Sequence, residues 1–501
     1  MSETSKLESL DPEVCEECSS AKTSGLRVSE GCRSKTLMQS IVHELKVQMR
    51  IGLPLVVMNL LWFGKLTTTS IFLGHQGKVN LAGGSLGFSF ANVTGFAVLY
   101  GISAAMEPIC GQAFGAKNFK LLHKTLLMAV LLLLLISIPI SILWLNVDKL
   151  LIAFGLKQEI SYIAKRYIIY LLPDLPILSL LCPLKAYLSS QGVTLPIMYT
   201  TAAATSLHIP INIFLSRAKG IQGVAMAVWI TDLIVVILLT GYVIVAEGFK
   251  DNKWKAGGWL DQKAQDWLKL LKLSGPCCLT VCLEWWCYEI LILLAGRLPN
   301  PVESVSALII TFNFEYLLYA VMLSLGTCVA TRVSNELGAN NPKGAYRAAC
   351  TTLVLGVVSG CIGALVMIAC RGVWGSLYGH HDVMIINSVK KLMLIMAVFE
   401  VINFPVFVCG EIVRGTAKPS LGMYANLGGF YLLALPLGAS LAFKAKLGVE
   451  GFLIGFLGGV FVCLLILLIF IARIDWEKEA GKAKILTCST EEEESPQDSR
   501  Q

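Results

Sequence analysis

Charge is what this sequence has least of. Only 15% of its 501 residues are charged and 55% are hydrophobic, whereas soluble domains carry about 25% charged residues. Together with a mean hydropathy of +0.68, this shortage excludes an ordinary soluble domain and predicts an integral membrane protein. The net charge of +7 is modest and requires no nucleic acid partner to explain it.

Motifs that would indicate an enzyme or a bound cofactor are also missing. The chain has no GxxxxGK[ST] nucleotide-binding motif, and no Ser-His-Asp or metalloprotease spacing stands out. Cys15 and Cys18 form a CxxC pair, but no second pair and no nearby histidine accompany it, which argues against a zinc site. Most other cysteines lie in apolar stretches, where they act as small hydrophobic side chains. We therefore expect no enzymatic activity, no cofactor and no metal.

Twelve apolar stretches dominate the rest of the chain. Each has about 20 residues, which is enough to cross a bilayer as a helix. They predict an all-α membrane protein with twelve spans, near 50–73, 83–106, 124–146, 163–184, 195–216, 222–246, 269–296, 303–331, 345–371, 386–412, 419–443 and 448–473.

Polar segments flank and divide these spans. Residues 1–40 are predicted to be a disordered cytosolic tail with no cleavable signal peptide. Residues 247–268 are predicted to be a cytosolic linker, and 475–501 a solvated, mobile cytosolic tail that ends in an acidic run. Lysine and arginine are about twice as frequent on the side that carries both ends, which predicts that both termini lie in the cytosol.

The second half of the chain repeats the first. A shift of 222 to 223 residues places Pro54 on Pro276 and the loop FGAKNFK (114–120) on LGANNPK (337–343). Near the ends the shift grows to 228, where GIQG (220–223) meets GVEG (448–451). This repeat predicts two pseudo-symmetric lobes of six helices, 41–246 and 269–474. In transporters built from such repeats the substrate binds near the midplane, between the lobes.

One carboxyl group breaks the repeat. Glu284 lies near the middle of the apolar stretch Leu273–Pro299, beside Trp285, and its first-lobe counterpart is Trp62. A charge at that depth costs between roughly 3 and more than 10 kcal/mol, so it is expected to face protein or water. An unmatched carboxyl on a symmetric scaffold suggests a single ion-coupling site. The alternative is a structural group that hydrogen-bonds to a neighbouring helix.

Three motifs resemble those of plant multidrug and toxic compound extrusion (MATE) transporters of the DETOXIFICATION type. They are GHQGKVNLAGGSLGFSFANVTGFAVLYGISAAMEPICGQAFGAKNF (74–119), CLEWWCYE (282–289) and GTCVATRVSNELGANNPKGAYRA (326–348). The resemblance spans nearly all of 45–475. It implies a V-shaped pair of six-helix lobes and antiport of organic solutes against protons or Na⁺. It also implies that Glu284 is the coupling acid of a second-lobe cavity.

The resemblance extends to the residues expected to line that cavity. Asn313 and Tyr319 match polar and aromatic positions of the family's second-lobe lining. Relatives often place a second acid where this chain has Asn403, so Glu400, one turn away, could replace it. Together with Phe407 and Glu411, these two share one helix face, which predicts either a cavity wall or an interhelical hydrogen-bond seam. We include Trp285 and Tyr288 in the lining, since Tyr288 shares a helix face with Glu284.

Other ionisable residues of the spans allow more than one interpretation. Glu289 is either interfacial or functional, and Glu315 is expected to face away from Asn313. Asp232 is either a packing group or a first-lobe cavity group. Lys65 either pairs with a cavity carboxylate or extends to the membrane surface. Span one lacks an acid, so an ion site in the first lobe is not expected.

Two further groups of polar residues lie near the ends of spans. Arg332, Asn335, Glu336 and Arg414 are expected to close the cytoplasmic side without touching substrate. His380 and His381 belong either to a solvated loop or to a pH-sensing or metal site.

Two functions from different classes follow. The first is a proton-coupled exporter of cationic or polar xenobiotics or plant metabolites, since no nucleotide site is present and plant membranes are energised by protons. The second is a membrane receptor or regulator that signals through its cytosolic tails. Expected partners are a small organic substrate, H⁺, the lipid bilayer and a soluble protein at the tails. We expect a monomer in the plasma membrane, with the vacuolar membrane as the alternative.

Overall fold

A computed structural model describes residues 30–154, 156–246, 257–259, 262–378 and 383–488. The chain divides into two compact units, 1–47 and 48–501. Within the first unit the structure describes only the beginning of helix α1. Cys15, Cys18, His380, His381 and the acidic run of the C-terminal tail lie outside the described residues.

All described elements are helices. The first lobe comprises α1 (Glu30–His75), α2 (Lys78–Ala91), α3 (Ala97–Ser103), α4 (Met106–Gly115), α5 (Phe119–Leu145), α6 (Val147–Ala153), α7 (Gln158–Leu171), α8 (Asp174–Ser190), α9 (Leu195–Lys219) and α10 (Ile221–Val243). The second comprises α11 (Ala264–Ala295), α12 (Pro301–Gly338), α13 (Pro342–Trp374), α14 (Val383–Gly415), α15 (Pro419–Asn426), α16 (Leu435–Ala439) and α17 (Gly448–Ala472). A further helix, α18 (Trp476–Cys488), follows them.

The predicted twelve-span, all-α fold is confirmed. Ten helical segments of the described chain are long and apolar enough to cross a membrane. The fourth span is the pair α7 and α8, which meet at a bend of 52° where Pro173 interrupts the helix. The fifth is α9, a continuous helix of 25 residues that is more polar than the others and carries the buried side chains His208 and Asn212.

The repeat predicted from the sequence is visible in the backbone. Asn118 and Asn341 each accept a hydrogen bond from a backbone N–H three residues on, at 2.9 and 3.1 Å, and so cap the next helix. The residues before them, Lys117 and Asn340, both have left-handed backbones with φ of 59° and 57°. Two matched loops thus share one conformation and one capping interaction.

A second pair of matched loops behaves in the same way. Gly220 and Gly448 both have φ of 60°, a conformation that glycine adopts without steric cost. The two largest buried apolar clusters largely follow the halves: one is formed by first-lobe residues together with Leu270 and Cys277 of α11, and the other runs from Cys287 to Leu467. Each lobe therefore has its own core, and large apolar side chains such as Phe214 and Leu432 are exposed, as lipid contact requires.

Three predicted boundaries differ from the structure. Helix α1 begins at Glu30, ten residues before the predicted end of the tail, and α11 begins at Ala264, inside the predicted linker. Residues Trp476–Cys488 form α18 rather than a solvated tail, because Ala480 and Ala483 are buried against the second lobe. The backbone carbonyl of Thr487 also accepts a hydrogen bond from Asn118 Nδ2 at 2.9 Å.

Candidate functional site

A cavity of about 910 Å³ lies between the lobes and is lined by residues of both. Its volume is within the range of roughly 300–1,000 Å³ that holds drug-sized ligands. Residues of α1, α2, α3 and α8 form one wall, and residues of α11, α12 and α14 form the other. The arrangement places a binding cavity where the repeat predicted one.

Glu284 faces this cavity from α11. Thr280, Glu284 and Tyr288 follow one another at steps of four residues and all line the cavity, since that spacing keeps side chains on one helix face. Trp62, the first-lobe counterpart of Glu284, lines the opposite wall. Among the described residues none makes a hydrogen bond or an ion pair with the carboxyl group of Glu284. That group is therefore available to a ligand or a proton.

Two more carboxyl groups lie on the same wall. Glu289 lines the cavity together with Glu284. Glu315 lines it as well, so the expectation that it faces away from Asn313 is wrong. Its carboxyl group accepts a hydrogen bond of 3.5 Å from the hydroxyl of Tyr288. The cavity is wide enough that two residues of α12 separated by one position both reach it.

The predicted stripe of α14 divides between the cavity and the protein interior. Asn403, Phe407 and Glu411 line the cavity, but Glu400 does not. Glu400 is completely buried, and both its carboxyl oxygens lack a hydrogen-bond partner in the part of the chain that the structure describes. It lies behind the wall, within electrostatic reach of Glu315. The spacing along the sequence therefore predicted which face of α14 is directed toward the cavity, but not that the cavity ends before Glu400.

Aromatic side chains line the second-lobe wall around the carboxyl groups. Trp285 Nε1 donates a hydrogen bond of 3.3 Å to the hydroxyl of Tyr319. The ring of Tyr319 in turn meets Phe407 edge-to-face, with ring centroids 5.6 Å apart. All three residues were predicted from the sequence to line the cavity, and all three are part of its surface.

Aromatic contacts also connect the two walls. Tyr100 of the first lobe lies 6.3 Å from Trp285 of the second, measured between ring centroids. Phe63 stacks on Tyr316 of the second lobe at 6.0 Å with an interplanar angle of 16°. A planar ligand in the cavity would find π surfaces on both sides.

Lys65 forms a buried ion pair with Asp232. Its Nζ lies 2.7 Å from each of the two carboxylate oxygens, and the exposed fractions of the two residues are 3% and 6%. Neither residue lines the cavity. Lys65 therefore does not extend to the membrane surface, and Asp232 is its counter-ion inside the first lobe.

Sequence reasoning also missed two ionisable residues on α8 of the first lobe. Asp174 follows the bend, is 1% exposed and has one carboxyl oxygen without a hydrogen-bond partner among the described residues. Lys185 lines the cavity. The signal that identified Glu284, an ionisable side chain in an apolar span, applied to both and could have found them.

An ion pair across the lobes forms the floor of the cavity. Arg414 of α14 bonds Glu107 of α4 at 2.8 Å and also pairs with Glu411. All three line the cavity, so Arg414, which we expected not to touch substrate, forms part of the cavity surface. Arg414 thus connects the lobes and pairs with two carboxylates at once.

Beside this ion pair the two lobes meet without intervening side chains. A Cβ atom on Gly115 of α4 would collide with the backbone oxygen of Asn335 of α12, and one on Gly338 of α12 would collide with the backbone oxygen of Gln112 of α4. The contact therefore requires glycine at both positions. Nearby, Arg332 pairs with Glu336 one turn along α12, at 2.6 Å.

Comparison with known proteins identifies the chain. The MatE family model matches residues 54–214 and 276–439. The chain belongs to the MATE family. The two matches begin at Pro54 and Pro276, the pair that revealed the repeat. The chain is therefore a multi-pass integral membrane protein of a family of multidrug and toxic compound extrusion transporters. These transporters move small organic substrates and are not enzymes.

Relatives of this MATE protein match over nearly its whole length. Protein DETOXIFICATION 56 of Arabidopsis thaliana is 80% identical over 501 residues, which are 100% of this chain and 99% of the relative. Protein DETOXIFICATION 49 of the same plant is 40% identical and covers 92% of each chain. The crystal structure of the eukaryotic MATE transporter AtDTX14 matches with a TM-score of 0.83 and 28% identity, covering 89% of this chain and 99% of that one. None of these comparisons supports a receptor that signals through its tails.

Proposed function

We propose that this MATE protein exports organic solutes in exchange for protons and that Glu284 carries the coupling proton. The observation that supports this most is the position of Glu284 in the cavity between the lobes, with no bonding partner among the described residues. The matching position of the first lobe is occupied by Trp62, so the first lobe has no carboxyl group that corresponds to Glu284. A carboxyl group with no internal partner can exchange its proton with the cavity and bind a cationic substrate when ionised.

The proposed cycle uses the two protonation states of Glu284. Ionised Glu284 attracts a cationic or polar xenobiotic or plant metabolite when the cavity is open to the cytosol. Protonation from the acidic side removes that charge, weakens the attraction and releases the substrate there. This scheme requires different substrate affinities in the two states, since only differential binding shifts a conformational equilibrium.

We infer the orientation and setting of the cycle as well. With both termini in the cytosol, the floor formed by Arg414 and Glu107 faces the cytosol, and the described conformation is closed on that side. We place the protein in the plasma membrane as a monomer, with the second lobe beginning at α11 (Ala264–Ala295) rather than at residue 269. A soluble cytosolic protein would bind the residues beyond α18, since α18 itself packs on the second lobe.

Vesicles that contain the purified protein test the coupling. An imposed pH gradient is expected to drive uphill ethidium accumulation by the wild type. Glu284→Gln should reduce that accumulation at least about a hundredfold, because glutamine has a similar shape but cannot carry the proton. The matched control is Glu289→Gln, on the same helix and the same cavity wall, which should keep most of the activity.

Three outcomes are informative. Accumulation that survives Glu284→Gln in a folded protein would exclude Glu284 as the coupling residue. Equal loss in Glu284→Gln and Glu289→Gln would show that the wall acts as a general acidic surface. Accumulation driven by a sodium gradient without a pH gradient would replace the proton with Na⁺. Size-exclusion elution and the melting temperature report whether each variant is folded.

A further inference from the structure

Lys185 gives the first-lobe wall a positive charge. It lies on α8 in a row of cavity-lining residues with Cys182 and Ser189, at steps of three and four residues. Its ammonium group makes no hydrogen bond or ion pair within the described ranges. The one acidic residue of the first lobe that lines the described cavity is Glu107, and Arg414 already binds it. Lys185 therefore presents a cation to whatever occupies the cavity.

The other charges of the first lobe lie behind this wall. Asp232 is close enough to Lys185 to interact with it electrostatically, but Lys65 holds both of its carboxylate oxygens. Asp174 is buried as well, and neither aspartate lines the cavity. The first-lobe surface of the cavity therefore carries Lys185, whereas Asp174 and Asp232 are buried behind that surface.

The opposite wall, formed by the second lobe, carries acidic side chains. Glu284, Glu289 and Glu315 line it, and no basic side chain among the described residues pairs with any of them. The aromatic rings of Tyr100 and Trp285 lie between the two walls. The cavity is therefore bipolar, with a cation on one side, carboxyl groups on the other and π surfaces in the middle.

We propose that the preferred substrates are aromatic ampholytes, whose anionic group binds Lys185 while the cationic group faces Glu284. The inference rests on the proposed function, because it assigns the substrate class of the same cavity. A purely cationic aromatic compound satisfies the second-lobe wall alone. An ampholyte satisfies both walls and gains a charge-assisted hydrogen bond to Lys185.

A matched pair of dyes tests the proposal. Tetramethylrhodamine carries a free carboxylate beside its cationic aromatic system, and its methyl ester is the same molecule without the anionic group. Fluorescence anisotropy with protein in lipid nanodiscs measures the affinity for both. The wild type should bind the free acid about tenfold to a hundredfold more tightly than the ester, as expected for a hydrogen bond between charged groups.

Substitutions at Lys185 should remove this preference selectively. Lys185→Ala is expected to weaken binding of the free acid about tenfold or more and to change binding of the ester less than about twofold. Unchanged ester binding shows that the variant is folded. Lys185→Arg should keep the preference, because it keeps the positive charge. Lys165→Ala, which alters a lysine of α7 outside the cavity, should behave as the wild type.

The outcomes separate this inference from the proposed function. A preference for the free acid that persists in Lys185→Ala would overturn the role of Lys185. A wild type that binds both dyes equally, with ester binding sensitive to Glu284→Gln, would overturn the ampholyte proposal and leave the coupling residue in place. A wild type that binds neither dye would overturn the assignment of this cavity to aromatic substrates, and the ampholyte proposal with it.

Discussion

Replacing Lys65 by methionine should lower the free energy of unfolding by about 3–5 kcal/mol. The substitution keeps most of the side-chain volume but leaves the buried carboxylate of Asp232 without its counter-ion. Both oxygens of that carboxylate now bond the same ammonium group at 2.7 Å, so both would lose their partner at once. Unfolding in a mixed detergent titration measures the difference.

A second substitution distinguishes the loss of pairing from the loss of packing. Adding Asp232→Leu to Lys65→Met should recover most of the lost stability, because a buried ion pair replaced as a whole by apolar side chains is often neutral. Lys165→Met is the matched control. It breaks the 2.9 Å pair with Asp148, whose side chains are 27% and 26% exposed, and should cost less than about 1 kcal/mol. Equal costs for Lys65→Met and Lys165→Met would contradict the account.

Arg414→Gln is expected to open the floor of the cavity. Without the guanidinium group, Glu107 and Glu411 would face each other as uncompensated carboxylates, and removing one member of a buried pair costs about 3–5 kcal/mol. That cost destabilises the closed conformation, in which α4 and α12 are in contact, relative to the open one. Hydrogen exchange in Met106–Gly115 and in the last turns of α12 should therefore accelerate by about a hundredfold to several thousandfold.

The control for this experiment is Arg371→Gln, on the exposed end of α13 and away from the cavity. It should leave exchange in α4 and α12 unchanged. If Arg414→Gln accelerates exchange evenly throughout both lobes, the ion pair stabilises the fold in general rather than the closed floor. If exchange does not change, the contact between the lobes does not depend on Arg414.

The features that sequence predicted well depend on local chemistry. Asn118 and Asn341 cap helices with their own side chains, and Gly220 and Gly448 supply a left-handed backbone. Each of these requirements acts over a few residues, so the repeat could be read from the chain. Apolar length similarly located all twelve spans, although it could not show that the fourth bends.

The features that sequence missed depend on contacts between distant residues. Lys65 and Asp232 are 167 positions apart, so helical spacing could not pair them. Glu400 and Asn403 occupy the same predicted stripe, but only the position of α13 and the cavity shows that one is covered and the other exposed to the cavity. Helix α18 was missed because small buried alanines such as Ala480 give little hydrophobic signal in a polar segment.

Proton movement driven by substrate tests the central claim most directly. Vesicles loaded with ethidium and a trapped pH-sensitive dye start with equal pH on both sides, so that substrate is the only gradient. If export is exchanged for protons through Glu284, ethidium leaving wild-type vesicles will acidify their interior, and vesicles with Glu284→Gln will show no acidification. Ethidium efflux from wild-type vesicles without acidification, or the same acidification with Glu284→Gln, would contradict the account.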